Sequence, residues 1–148
     1  LRTRVPNTLG RMAYFGKGPQ ENYSDRSCGA FIGLYRGTPG DFMHDYITPQ
    51  ENGNRCDVRW LEVGSDVKLR VDAVGRAFEA GVHPYTLEEL DAAKHSCDLP
   101  RHDYLTVNID GGQQGVGGDV PAVATLKPQY KLPKMQTLTL RCALQFKK

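Results

Sequence analysis

No stretch of this 148-residue sequence approaches the roughly 18 apolar residues of a membrane span, and Leu1–Gly10 lacks the basic and apolar regions of a signal peptide. The chain is therefore read as soluble, and no membrane partner is expected. With Leu rather than Met at position 1, the chain is expected to be a fragment whose address lay upstream. An excess of one charge is also absent: 19 Lys and Arg face 17 Asp and Glu, mixed along the chain, for a net charge of +2. Nucleic acid is not an expected partner. Cys28, Cys56, Cys97 and Cys142 are far apart, with no CxxC or CxxH, which removes the usual zinc and redox spacings. Four cysteines in a chain this long do not make a disulfide scaffold, so scattered, mostly buried thiols are expected. His44, His83, His95 and His102 fall in no HxH, HxxH or HExxH spacing, and neither a metal nor a cofactor is assigned.

What the sequence does have is punctuation. Sixteen Gly and nine Pro separate short segments rich in β-branched and aromatic residues, the pattern of an all-β antiparallel sandwich in a single domain. Arg11–Phe15 reads as a strand closed by a turn at Gly16-Lys17-Gly18-Pro19, with a polar loop, Glu21–Arg26, beyond it. Phe31–Arg36 is a second strand. Val58–Val63 is expected to be one central strand with Val58, Trp60 and Glu62 on one face, and Trp60, the sole tryptophan, is placed in the core. Lys68–Ala73 alternates charged with apolar residues and should show one face to water. Leu105–Ile109 and Thr137–Phe146 complete the strands. One short surface helix begins at Thr86, whose hydroxyl can cap the Glu89 amide while the Glu89 carboxylate returns to the Thr86 amide. Asp91 and His95 are then expected to pair near its C-terminus.

Several motifs have ordinary readings. Gly115-Val116-Gly117-Gly118 follows a strand, but no helix opens at these glycines, so a dinucleotide fingerprint is rejected. Glu21, Asp25, Glu51, Asp57, Asp110 and Asp119 are candidate glycosidase carboxylates in type, yet their separations are not legible in sequence. Most carboxylates in a β-rich chain serve turns or stay solvated, and no catalytic residue is assigned.

Four segments in order carry a specific likeness. They are Tyr14–Arg26 (YFGKGPQENYSDR), Tyr46–Arg55 with Asp57–Trp60 (YITPQENGNR, DVRW), Tyr85–Leu90 leading to Ala93-Lys94-His95, and Asn108-Ile109-Asp110 leading to Gly115–Asp119 (GVGGD). Together they resemble the C-terminal domain of family 2 β-galactosidases over essentially the whole chain. The resemblance implies part of a galactose-mutarotase-like supersandwich, whose first strands lie outside this chain. It also implies that the catalytic glutamates belong to a (β/α)₈ barrel elsewhere, since such a barrel takes about 250 residues. The expected partners are that barrel, the other parent domains and β-galactoside or galactose. Self-association through exposed sheet edges is a further expectation.

By this likeness the chain is a non-catalytic wall of the pocket in an enzyme that hydrolyses terminal β-galactosides. Gln113, Gln114 and Asp119 are its candidate substrate contacts, because the glycines around them permit close approach and their side chains can hydrogen-bond hydroxyls. In many relatives this loop continues to a tryptophan that packs on sugar; here Asp119 runs into Val120-Pro121 without one. Two rivals are a galactose-binding module and a mutarotase-like enzyme using a His and a carboxylate.

Overall fold

The computed structural model describes residues 1–7, 10–118, 125–134 and 139–147. Among these, nine strands build two antiparallel sheets. The strands are β1 (Arg2–Pro6), β2 (Met12–Gly18), β3 (Phe31–Gly37), β4 (Arg55–Val58), β5 (Trp60–Gly64), β6 (Lys68–Ala73), β7 (Phe78–His83), β8 (Tyr104–Asp110) and β9 (Cys142–Lys147). The smaller sheet runs β1-β8-β7-β4 and the larger runs β3-β2-β5-β6-β9. The all-β sandwich expected from the sequence is the fold observed.

The core lies between the sheets. From the small sheet come Val58, Phe78, Val82, Leu105, Val107 and Ile109; from the large sheet come Tyr14, Leu61, Val63, Leu69 and Val71. Fully burying each such side chain contributes about 1.5–3 kcal/mol before conformational entropy is subtracted. In β6, Leu69 and Val71 face this core while Lys68, Arg70 and Asp72 face outward, as the alternation requires.

The expected single strand over Val58–Val63 is instead two. The chain leaves the small sheet after Val58 and enters the large one at Trp60. A register shift between Arg55 and Val58 accompanies the crossing, and Asp57 takes φ 54°, a left-handed conformation uncommon for a non-glycine residue. Because the sheet changes at Arg59, Val58 and Leu61 both point into the core and Trp60 is turned to the outer face. Trp60 is therefore half-buried beneath the Arg70 guanidinium, 4.2 Å from its ring, rather than in the core.

Nor does β2 stop at Gly16. It continues to Gly18, paired with Phe31, and Gly16 lies close against β4: a Cβ there would sit 2.9 Å from the Val58 Cα. Strands β1 and β7 escaped the sequence reading, β7 because Gly81 and Ala80 dilute an otherwise regular alternation.

The helix, α1 (Leu87–Ala92), has the expected reciprocal cap, with Glu89 N donating to Thr86 Oγ1 (3.2 Å) and Thr86 N to Glu89 Oε2 (2.8 Å). It ends at Ala92, so His95 is beyond it and exposed, and the expected Asp91 pairing is replaced by a bond from the His95 amide to Asp98 (2.9 Å). Among the described residues no helix is long and apolar enough to cross a membrane. In the expected closing strand, Thr137 and Leu138 lie outside the described residues, and regular pairing begins at Cys142. All four cysteines are free, but Cys56 alone is buried; Cys28 and Cys97 are exposed and Cys142 is half-buried, which corrects the expectation of mostly buried thiols.

Candidate functional site

Three polar segments meet at one end of the sandwich: the β2–β3 connection, the approach to β4, and the glycine loop after β8. Asparagines join the first two. Asn22 N donates to the Asn54 carbonyl (2.9 Å), Asn54 Nδ2 returns to the Asn22 carbonyl (3.0 Å), and the Cys56 amide donates to Asn22 Oδ1 (2.8 Å). Both asparagines are 1% exposed, so leaving these bonds unmade would be costly. Glu21 fastens the same joint, accepting from the Gly53 amide (2.8 Å) and from the Tyr46 hydroxyl.

The glycine loop is tied to the first segment by adjacent residues. Asp25 accepts from the amides of Val116 (3.1 Å) and Gly117 (2.8 Å), while the Arg26 guanidinium donates to the Gly117 carbonyl through Nε (3.0 Å) and a terminal nitrogen. The loop's base is tied to β7: Glu79 accepts from Asn54 Nδ2 (2.9 Å) and from the Gln113 backbone amide.

Carboxylates crowd this end. Burial raises the Glu79 pKa above the ordinary range, against the pull of the Asn54 and Gln113 bonds, and Asp110 raises it further. Glu51, exposed on one side, is still desolvated enough to be raised as well, with the Asp110 and Glu21 charges adding to the effect. Burial, and then Glu51 and Glu21, push the Tyr23 phenol up. The Cys56 thiol is pushed up to about 12 by burial, then by Glu79 and Asp57. Among the described residues no group of three or more His, Cys, Asp or Glu side chains is placed to hold a metal.

Beside the glycine loop is a cleft of about 330 Å³, bordered by Lys17, Ser24, Ser27, Asp57, Arg76 and Glu79. Lys17 spans part of it, reaching Ser27 Oγ (3.2 Å) and Asp57 Oδ2 (3.1 Å).

Of the candidate contacts, Gln113 is half-buried and Gln114 exposed on the glycine loop, while Asp119 lies outside the described residues. Glu21, Glu51 and Asp110 share one region, whereas Asp25 serves the loop backbone and Asp57 pairs with Lys17. Sequence reasoning missed Asn22, Asn54, Arg26 and Glu79. The first three sit in the specific strings, where a repeated Glu-Asn pair was the available signal; Glu79 sits in the strand that was not recognised.

Against this geometry stand the likenesses to known proteins. The sequence model of the family described as "Beta galactosidase small chain" matches residues 1–144. A β-galactosidase of Halalkalibacterium halodurans is 35% identical over 140 residues, covering 93% of this chain and 14% of that protein. For Vibrio cholerae β-galactosidase the figures are 38% over 144 residues, 95% and 14%; for Bifidobacterium adolescentis β-galactosidase BgaC they are 34% over 145 residues, 95% and 14%. The chain thus spans about a seventh of the length of these curated relatives.

Proposed function

Because this chain belongs to the β-galactosidase small-chain family, we propose that it is a non-catalytic domain of a β-galactosidase, forming a rigid wall beside the pocket where the whole enzyme hydrolyses terminal β-galactosides. The supporting observation is the convergence of the loop end. Gly16–Arg26, Pro49–Asp57 and Asn108–Gly118, distant in sequence, are bonded into one surface by Asn22, Asn54, Asp25 and Arg26. Rigid loops on a sheet scaffold are well suited to narrowing a pocket. Gln113 and Gln114 then present amides to substrate hydroxyls, with Asp119 following them.

The partner in this reading is the rest of the parent enzyme, barrel included, in a bacterial cytoplasm or periplasm. The edge strand β9 supports it. Leu144 and Phe146 pair with Val71 and Leu69, so they face the side of the sheet that carries the core, yet they are 50% and 77% exposed. Such an edge calls for cover from further strands of the parent, or from a second copy when the chain is alone. A second reading, a galactose-binding module, is favoured by the cleft beside the glycine loop.

Amide NMR spectra of the chain with and without galactose, combined with hydrolysis of a chromogenic β-galactoside, test these readings. The wall reading expects a dispersed spectrum unmoved by sugar and no turnover. Saturable shifts confined to the cleft would replace it with the binding-module reading, and turnover by the isolated chain would overturn both.

A further inference from the structure

We infer that Asp25 and Arg26 are positioning residues that hold Val116–Gly118 in a single shape and thereby set the pocket-facing loop; the second half of this inference rests on the wall reading above.

The amide and carbonyl of Gly117 are both held by one dipeptide that lies 91–92 positions earlier. Each Asp25 oxygen takes one of two successive amides, an arrangement that makes both bonds charge-assisted. The Gly117 carbonyl receives the guanidinium that follows Asp25 in sequence. These two side chains come from a tight turn that is itself fixed. Arg26 N donates to the Tyr23 carbonyl (2.8 Å), Tyr23 N to the Arg26 carbonyl (3.2 Å), and Tyr23 is 4% exposed. From the other side, Gly115 N donates to the Tyr130 carbonyl (3.0 Å).

The loop glycines fit this clamp specifically. A Cβ on Gly115 would stand 2.6 Å from Asp25 Cγ. Gly117 and Gly118 take φ 69° and 80°, and a Cβ on Gly118 would meet the Arg26 guanidinium at 3.2 Å. Without the clamp, a run this rich in glycine has many other conformations, and the entropy of choosing one opposes order. Asp25 and Arg26 supply the opposing interaction through the loop backbone.

Hydrogen exchange in the full-length β-galactosidase that carries this segment, read with its steady-state kinetics, provides the test. In Asp25→Ala, the Val116 and Gly117 amides should exchange about 10- to 100-fold faster, the range implied by losing a charge-assisted bond, while β7 and β8 amides keep their rates. Asp25→Asn, which retains one acceptor oxygen, should fall between; it also carries the test if Asp25→Ala loses sheet protection. KM for a β-galactoside should rise several-fold in Asp25→Ala with kcat within about twofold, and Asp25→Asn should recover part of that rise. Unchanged loop exchange in both variants overturns the clamp. Faster loop exchange with unchanged KM leaves the clamp standing and overturns the wall reading.

Discussion

Replacing Tyr14 with Phe removes one oxygen and should lower the unfolding free energy by about 2 kcal/mol, because that oxygen serves a buried cation. Arg55 is 2% exposed and, among the described residues, has no carboxylate within ion-pair distance. Its guanidinium is satisfied by neutral acceptors: the Tyr14 hydroxyl (3.0 Å), the Asn54 carbonyl (2.9 Å) and the Phe42 carbonyl (2.7 Å). The Tyr14 and Phe42 rings lie 5.8 and 5.5 Å from it. Phe at position 14 keeps the ring contacts with Tyr35 and Phe42 and forfeits only the acceptor. A hydrogen bond to a charged group contributes about 1.5–3 kcal/mol, and truncating one partner leaves the buried guanidinium short of an acceptor. With a urea m-value of about 2 kcal/mol/M, the unfolding midpoint should fall by about 1 M. Tyr35→Phe is the control: its hydroxyl meets the Gly18 and Phe31 carbonyls at a more exposed place, so the loss should stay below about 1 kcal/mol. In an Arg55→Met background, Tyr14→Phe should have little further effect, since the group it served is gone. An unchanged midpoint for Tyr14→Phe, or full additivity with Arg55→Met, would refute this account of how the cation is held.

His83 should make stability fall on mild acidification. It is 2% exposed and donates Nε2–H to the Asn52 carbonyl (2.9 Å); burial depresses its pKa, and the Arg55 charge lowers it further. The unfolded chain takes up this proton near pH 6.5 and the folded chain resists it, so the contribution is intact above about pH 6.5 and lost as pH falls through the depressed value. Glu51 and Glu79 act in the opposite direction. Their raised pKa values mean that the folded state holds protons the unfolded one has released, so their contribution is present below about pH 4.5 and lost as pH rises through the folded values. Urea midpoints between pH 7.5 and 5 should therefore show a shallower acid decline in His83→Gln than in the wild type; an identical slope would remove His83 from the explanation. Thiol titration with a disulfide reagent under native conditions should modify Cys28 and Cys97 first, with Cys56 reacting only on unfolding. Rapid reaction of Cys56, followed by peptide mapping, would contradict its closed environment.

The sequence by itself determined the elements whose signals are local. Charged–apolar alternation marked β6 within its own residues, Thr86 and Glu89 carried both halves of the helix cap, and the spacing of Gly and Pro gave the all-β class. The specific strings around Glu21-Asn22 and Glu51-Asn52 carried the family likeness. Tertiary structure decided where the chain changes sheets. That choice turned Trp60 outward, put Asp57 at φ 54° and required Gly16 to lie against Val58. It also decided what the polar residues are for. Asp25 and Arg26 read as a polar loop until sheet stacking brought Gly117 to them, and Arg55 stood only as the last letter of a specific string until β4 placed it between Tyr14 and Phe42. Side-chain periodicity and capping act over two to four residues, so they are legible along the chain. Which face is buried, and which hydrogen bonds close across 90 residues, depend on how two sheets pack, and no local pattern encodes that.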